Sequence, residues 1–218
     1  MKVSDVMKNN QTMQYSCFEE RMRPRSFDEL LIAEETISAF NKMMSTDNVM
    51  NMIFYSSPGS GKTTCANLFL NADKFDCYRI NAAADNLSKL RIADIASANS
   101  LYSQRKLVLI DEADLMSPAV QYSLRETIEK HLNNCRFILT TNRLSSIQPQ
   151  LKSRCKTITF DMQISMINST KAKLLKTIKH RMSEINQDFD ESKLEQIVSM
   201  NFPDYRAVAN DIEFELLA

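Results

Sequence analysis

The residues best suited to chemistry lie in Ser56-Ser57-Pro58-Gly59-Ser60-Gly61-Lys62-Thr63-Thr64. The 218-residue chain holds two glycines, both in this stretch, where average usage would give roughly 15. Elsewhere even turns do without glycine. Its retention at Gly59 and Gly61 points to a physical demand: a bend that a Cβ would obstruct, or close approach by another group. Backbone N–H groups turned inward by such a bend would meet phosphate oxygens. A following helix would add its N-terminal donors and its dipole. Lys62 would pair with the β- and γ-phosphates, and the Thr63 hydroxyl would ligate Mg²⁺. Ser57, Pro58, Ser60 and Thr64 complete the cradle. Ser56 stands where the pattern G-x-x-x-x-G-K-[ST] has its first glycine.

A second group is Leu107-Val108-Leu109-Ile110-Asp111-Glu112-Ala113-Asp114. Four apolar residues running into two acids describe a buried strand. It would deliver carboxylates to the carboxyl edge of a sheet, where ligands bind in open α/β folds. Asp111 would hold Mg²⁺ through water, and Glu112 would polarise an attacking water. Alone, the pair also fits a solvated acidic turn; a phosphate loop upstream displaces that reading. Thr140-Thr141-Asn142-Arg143 closes another strand. Asn142 there is either a turn-forming strand end or an amide that orients water or touches a γ-phosphate. Arg154 fits a surface arginine, or a cation for the charge that develops in phosphoryl transfer. Arg206, in Pro203-Asp204-Tyr205-Arg206, is placed to reach a γ-phosphate from a second domain.

The elements that must position these residues follow from periodicity. Short continuous apolar runs at 51–55, 77–80, 107–110, 136–140 and 156–160 predict five strands. Helical patterns at 63–70, 85–98 and 118–131 lie between them, and Pro118 suits a first turn. Such alternation predicts an α/β fold with a parallel sheet covered on both faces. After Phe160 only helical periods remain, the first from Ile167 to Ile185. A second, around Lys193 to Met200, is expected to start with a capping box at Ser192 and Glu195. A third follows Pro203. The expected organisation is a flexible lead-in at 1–16, a nucleotide-binding core at 17–160 and a small helical domain at 161–218. The basic run Lys171, Lys173, Lys176, Lys179, His180 and Arg181 reads as a solvated helix face.

Composition limits the remaining classes. Lys plus Arg and Asp plus Glu are 27 each, so the net charge is zero. A generally basic surface is excluded, and nucleic-acid contact would need a local patch. Five scattered cysteines without a C-x-x-C pair, and two histidines, argue against a disulfide framework or zinc site. They suit a reducing compartment. No apolar run reaches the roughly 18 residues of a membrane span, and residues 1–14 lack a signal-peptide core.

In order and spacing, these motifs resemble the AAA+ ATPases, and within them the clamp-loader subunits. Glu19-Glu20-Arg21-Met22-Arg23-Pro24 followed by Phe27-Asp28-Glu29-Leu30-Leu31 is similar to their N-terminal signature. Leu124 to Lys130 and Asn134 to Leu139 resemble their central helix and next strand. Gln148-Pro149-Gln150-Leu151-Lys152-Ser153-Arg154-Cys155 resembles their Ser-Arg-Cys segment. Asn201-Phe202-Pro203-Asp204-Tyr205-Arg206 resembles the lid motif of T-even-type phage clamp loaders. The likeness runs over roughly residues 17–218.

The resemblance implies an AAA+ P-loop core, an all-α lid, and ATP with Mg²⁺ as cofactors. It implies Asn142 as a first sensor and Arg206 as a second, with Arg154 acting in trans on a neighbour's ATP. Glu19, Met22 and Leu31 fall where the family encloses the base, with Met22 in place of the usual tyrosine. Gln121 matches a glutamine coupling DNA binding to the active site. The helix at 85–98 would line a DNA channel with Lys89 or Arg91, and Ile95, Leu101 and Tyr102 would approach a clamp; an ordinary amphipathic helix fits equally. The implied partners are other clamp-loader subunits in a hetero-oligomeric ring (a pentamer), a sliding clamp and primer-template DNA, with no membrane. The implied function is ATP-driven clamp loading. The alternatives are another AAA+ DNA-remodelling factor such as a helicase loader, or a truncated nucleotide-binding assembly module. The family carries a helical collar domain after the lid, whereas this sequence runs to Ala218. The chain is then a fragment, or the collar is supplied elsewhere, or assembly differs. Asparagine richness and the phage-like lid motif point to a virus and hence the host-cell cytoplasm.

Overall fold

The computed structural model describes residues 18–71, 74–83, 89–98, 105–161, 164–184 and 189–217; the expected lead-in lies outside them. Strands β1 (Met52–Tyr55), β2 (Asp76–Asn81), β3 (Lys106–Asp111), β4 (Cys135–Thr141) and β5 (Lys156–Thr159) form one sheet. All pairings are parallel, in the order β2-β3-β4-β1-β5. The three strands β2, β3 and β4 each run one residue beyond the apolar stretch at both ends. Ladder hydrogen bonds depend on a neighbouring backbone, not on side-chain hydrophobicity, so pairing continues past the greasy residues.

Period-2 alternation divides the sheet residues between two cores. Ile53, Val108, Ile110, Phe137 and Leu139 face α4 (Lys89–Ser97) and α5 (Pro118–Lys130). Met52, Phe54, Leu107, Leu109 and Ile138 face α2 (Glu34–Ser45) and α3 (Lys62–Leu70). The second core includes tilted aromatic pairs, among them Phe27 and Phe69 with centroids 4.7 Å apart. In the central strand β1, Met52, Ile53 and Phe54 are wholly buried. Each contributes about 1.5–3 kcal/mol relative to exposure. The chain leaves β1 through α3 on one face and returns through α4 and α5 on the other. The carboxyl ends of β1, β3 and β4 therefore share an edge where the loops part, which is where α/β sheets bind ligands.

The C-terminal region holds α7 (Ile167–Glu184), α8 (Glu191–Asn201), α9 (Tyr205–Ile212) and a π-helical turn at Glu213–Leu217. Leu174, Ile178, Leu194, Val198, Val208 and Ile212 build a third core. Phe18 of α1 (Phe18–Met22) packs into it, and its N–H donates to Glu213 Oε2 at 3.2 Å. The N-terminal helix thus sits in space with helices from the far end of the sequence.

Two expectations are corrected. The cap of α8 is Asp190, whose carboxylate accepts from the N–H groups of Ser192 and Lys193. The Ser192–Glu195 box does not form, because a carboxylate two residues earlier already satisfies the orphan donors. The basic face of α7 is also only partly solvated. Lys173 Nζ donates to the carbonyls of Asp28 (2.7 Å) and Leu30 (3.0 Å). Arg181 is 6% exposed and pairs with Glu29 and Glu184. The segment around Asp28–Leu30 docks against this face and leaves carbonyls and a carboxylate that need donors.

Candidate functional site

The two glycines serve different needs. Gly61 caps α3 with φ of +89° and has open space around its Cα, so conformation alone selects glycine. Gly59, at φ of +76°, also faces the Asp204 carboxylate, into which any Cβ would collide. Asp204 caps α9, accepting from the N–H groups of Arg206 and Ala207, and the Tyr205 N–H donates to Gly59 O at 3.2 Å. The C-terminal helices thereby rest directly on the loop that follows β1.

Lys62 opens α3 and is 8% exposed. Its ammonium donates to the carbonyls of Ser56 (2.9 Å) and Ser57 (2.6 Å) and to Ser60 Oγ (3.4 Å). Burial lowers its pKa from the ordinary lysine value; Asp161, Asp111 and Asp114 pull it back up. The amine is thus held against the loop by neutral acceptors.

Asp111, at the end of β3, is buried. Its Oδ1 accepts from Thr63 Oγ1 at 2.9 Å and, more closely still, from Thr140 Oγ1. Its Oδ2 lies 3.1 Å from Arg79 Nη2. Thr140 Oγ1 also accepts from the Glu112 N–H at 3.1 Å. Glu112 itself is exposed, in a left-handed backbone conformation (φ 57°, ψ 43°) that is costly for a non-glycine residue. One turn of chain thus leaves Asp111 inside and carries Glu112 outward over the same cleft.

The cleft is a cavity of about 2350 Å³ between the sheet edge and the C-terminal helices. Pro58, Gly59, Ser60, Gly61, Lys62, Thr63 and Thr64 form its floor. Asp111, Glu112 and Asn142 line the sheet edge, and Glu19, Met22, Leu31 and Arg206 line the opposite wall. Met22 and Leu31 supply apolar surface as they pack on the third core. Arg206 is exposed, with Nε 3.4 Å from Glu19 Oε1. Ser57 differs from its neighbours: it lines a smaller cavity behind the loop and meets the cleft only through the Lys62 bond to its carbonyl.

The remaining expected site residues lie elsewhere. Arg154 is exposed and does not line the cleft; its Nε pairs with Glu129 Oε1 at 2.8 Å. Gln121 is buried at a junction. Its amide donates to Met116 O and Ser146 O, and its oxygen accepts from Gln148 N–H. It therefore ties the turn after Asp111, the segment after Asn142 and the start of α6 (Pro149–Lys152), the helix before Arg154. Arg91 lies on the exposed side of α4, whereas Ile95 packs partly into the first core. The Lys89 side chain, Leu101 and Tyr102 lie outside the described residues.

Three contributors carried no local signal of their own: Arg79, Thr140 and Asp204. Thr140 lies two residues before the Asn142 amide, and Asp204 two residues before Arg206. Oxygen ligands at the spacing of Thr63 and Asp111 suit a hard cation such as Mg²⁺, and the left-handed glycines with a buried lysine suit a polyphosphate. Lys62→Ala is expected to weaken nucleotide affinity by roughly 10- to 100-fold, the worth of a charge-assisted hydrogen bond or two. Fluorescence anisotropy with a labelled nucleotide checks it; unchanged binding removes Lys62 from the phosphate site.

Residues 52–162 match the model of the ATPase family associated with various cellular activities, AAA. The replication factor C subunit 5 of Mus musculus is 30% identical over 204 residues, covering 89% of this chain and 58% of the relative. The sliding-clamp-loader large subunit of Enterobacteria phage T4 is 29% identical over 204 residues, covering 89% and 63%. The chain thus spans less than two thirds of either relative. Among solved structures, the Thermotoga maritima RuvB Holliday junction branch migration motor superposes with a TM-score of 0.68 at 19% identity, covering 91% of this chain and 68% of that one. That likeness is one of fold. Among the described residues, no helix is long and apolar enough to cross a membrane.

Proposed function

Because the chain belongs to the AAA family of ATPases, we propose that it is the ATP-hydrolysing part of a sliding-clamp loader, placing a polymerase clamp on primer-template DNA. The observation that carries this reading is the likeness to two replication proteins over 204 residues. At 89% of the chain, it takes in both the sheet and most of the C-terminal helices.

In this reading the loop amides and Lys62 bind the phosphates, and Lys62 exchanges three neutral acceptors for charged oxygens. Thr63 and Asp111 would hold Mg²⁺, which when bound would neutralise charge on the phosphates. Glu112 accepts a proton from the attacking water, and Asn142 orients that water or the γ-phosphate. Arg206 leaves Glu19 for the γ-phosphate, so the C-terminal helices respond to which nucleotide is present. Met22 and Leu31 cover the base. Arg154, remote from this cleft, serves the site of a neighbouring subunit. Gln121 links that neighbour-facing helix to the turn carrying Glu112, a route by which DNA in the ring reaches the chemistry. We assign residues 17–160 to the nucleotide-binding core and 161–218 to the lid, with α1 docked on the lid. Lys89 and Arg91 are assigned to the DNA-facing helix.

The reading is tested by steady-state hydrolysis with a sliding clamp, primer-template and partner subunits. Hydrolysis is expected to rise when clamp and primed DNA are present together, and the clamp to appear on circular primed DNA in an ATP-dependent manner. Stimulation by a replicative helicase instead, with none by the clamp, overturns it. Native mass measurement with ATP should show the chain in a ring of about five subunits.

A further inference from the structure

Asp111 carries a negative charge that its surroundings must balance. Its side chain is 8% exposed. Thr63 and Thr140 supply hydroxyl dipoles but no charge, and Lys62 points its amine at the loop carbonyls. Among the described residues, the cation within ion-pair distance is Arg79, on the edge strand β2. Strand register explains how it reaches. Arg79 sits opposite Leu109, two residues before Asp111 on the same face of β3, and a long side chain spans that diagonal. The guanidinium lines the same cleft as Thr63, Glu112 and the loop.

We propose that Arg79 is the counter-charge of the metal-site carboxylate, acting as a positioning residue that sets how much divalent cation the site demands. The proposal rests on the reading of the cleft as a Mg²⁺-nucleotide site. A cation held by Thr63 and Asp111 would face the guanidinium that sits on the carboxylate's other oxygen, and the two positive charges would repel. The same guanidinium attracts the polyphosphate of a nucleotide that arrives without metal. Arg79 therefore acts with opposite sign on the two ligands: it weakens free metal binding and strengthens metal-free nucleotide binding.

That opposition makes the test sharp. Arg79 is about half exposed, so its charge acts through a largely water-like dielectric and the expected effect at the metal site is about tenfold. Arg79→Gln is expected to bind Mn²⁺ alone about tenfold more tightly, read from the free-ion signal in electron paramagnetic resonance. It is expected to bind a fluorescent ATP analogue in EDTA several-fold more weakly. Arg79→Lys, which keeps the charge, should stay near the original chain in both, and Arg79→Met should repeat the glutamine result if the glutamine form folds poorly. Unchanged constants in a folded, charge-free variant overturn the proposal. So do shifts in the same direction for both ligands, or a lysine variant that behaves like the glutamine one. If the unaltered chain binds neither Mn²⁺ nor nucleotide, the reading of the cleft fails. If it binds both, loses nucleotide with Lys62→Ala and ignores the loss of the Arg79 charge, only the inference fails.

Discussion

Glu112→Gln is expected to keep nucleotide affinity near its original value while hydrolysis falls by about 10²- to 10⁴-fold, the usual worth of a positioned general base. The geometry makes this a clean substitution. Glu112 is exposed over the cleft, and its N–H rather than its carboxylate bonds to Thr140. Removing the charge therefore leaves the hydrogen bonds around Asp111 in place. Glutamine has the same shape and no better access to a left-handed backbone than glutamate, so the strain at φ of 57° is equal in both chains and the comparison reports chemistry. Single-turnover hydrolysis alongside equilibrium binding separates the two effects. Normal turnover with normal binding removes Glu112 from the role of base.

The second large effect is expected at Arg154. An arginine that stabilises the transferring phosphoryl group contributes about 10³- to 10⁵-fold to turnover. Arg154 lies outside its own cleft, so Arg154→Ala should leave nucleotide binding by the isolated chain intact and abolish most hydrolysis in the assembly. Its present partner does not hold it back: the Arg154–Glu129 pair is about half exposed on both sides, and such pairs contribute about 0–1 kcal/mol. A mixing experiment reads the geometry directly. Arg154→Ala retains Glu112, and Glu112→Gln retains Arg154. Where copies of this chain adjoin one another, a mixture of the two inactive variants rebuilds complete sites and regains a fraction of the original rate. Two variants inactive both alone and mixed, beside an active original chain, would mean that Arg154 does not complete a neighbouring copy's site.

Much of the fold was legible because its signals are local. An apolar run between turn residues is a strand wherever it lies in the sheet, and Gly59 and Gly61 announce the bend after β1 through backbone freedom alone. The acids after Ile110 were legible for the same reason, since a buried strand has to surface at its end. Local signals mislead where a competing partner caps first, as Asp190 does at the start of α8. They also mislead where a charged face has a tertiary neighbour, as at Lys173 and Arg181 on α7.

By itself, then, the sequence determined the strand-helix alternation, the bend at the two glycines, and which carboxylates and hydroxyls arrive at the sheet edge. Short-range sterics and hydrophobic periodicity decide these within a few residues. The tertiary structure alone decided who meets whom. Arg79 finds Asp111 across 32 residues because β2 and β3 pair in one register. Asp204 meets Gly59 because the C-terminal helices fold back over the loop, and Arg181 meets Glu29 across 152 residues because α7 docks against the segment around Asp28–Leu30. Charge balance and steric exclusion act through space, and strand register and helix docking brought those groups into range.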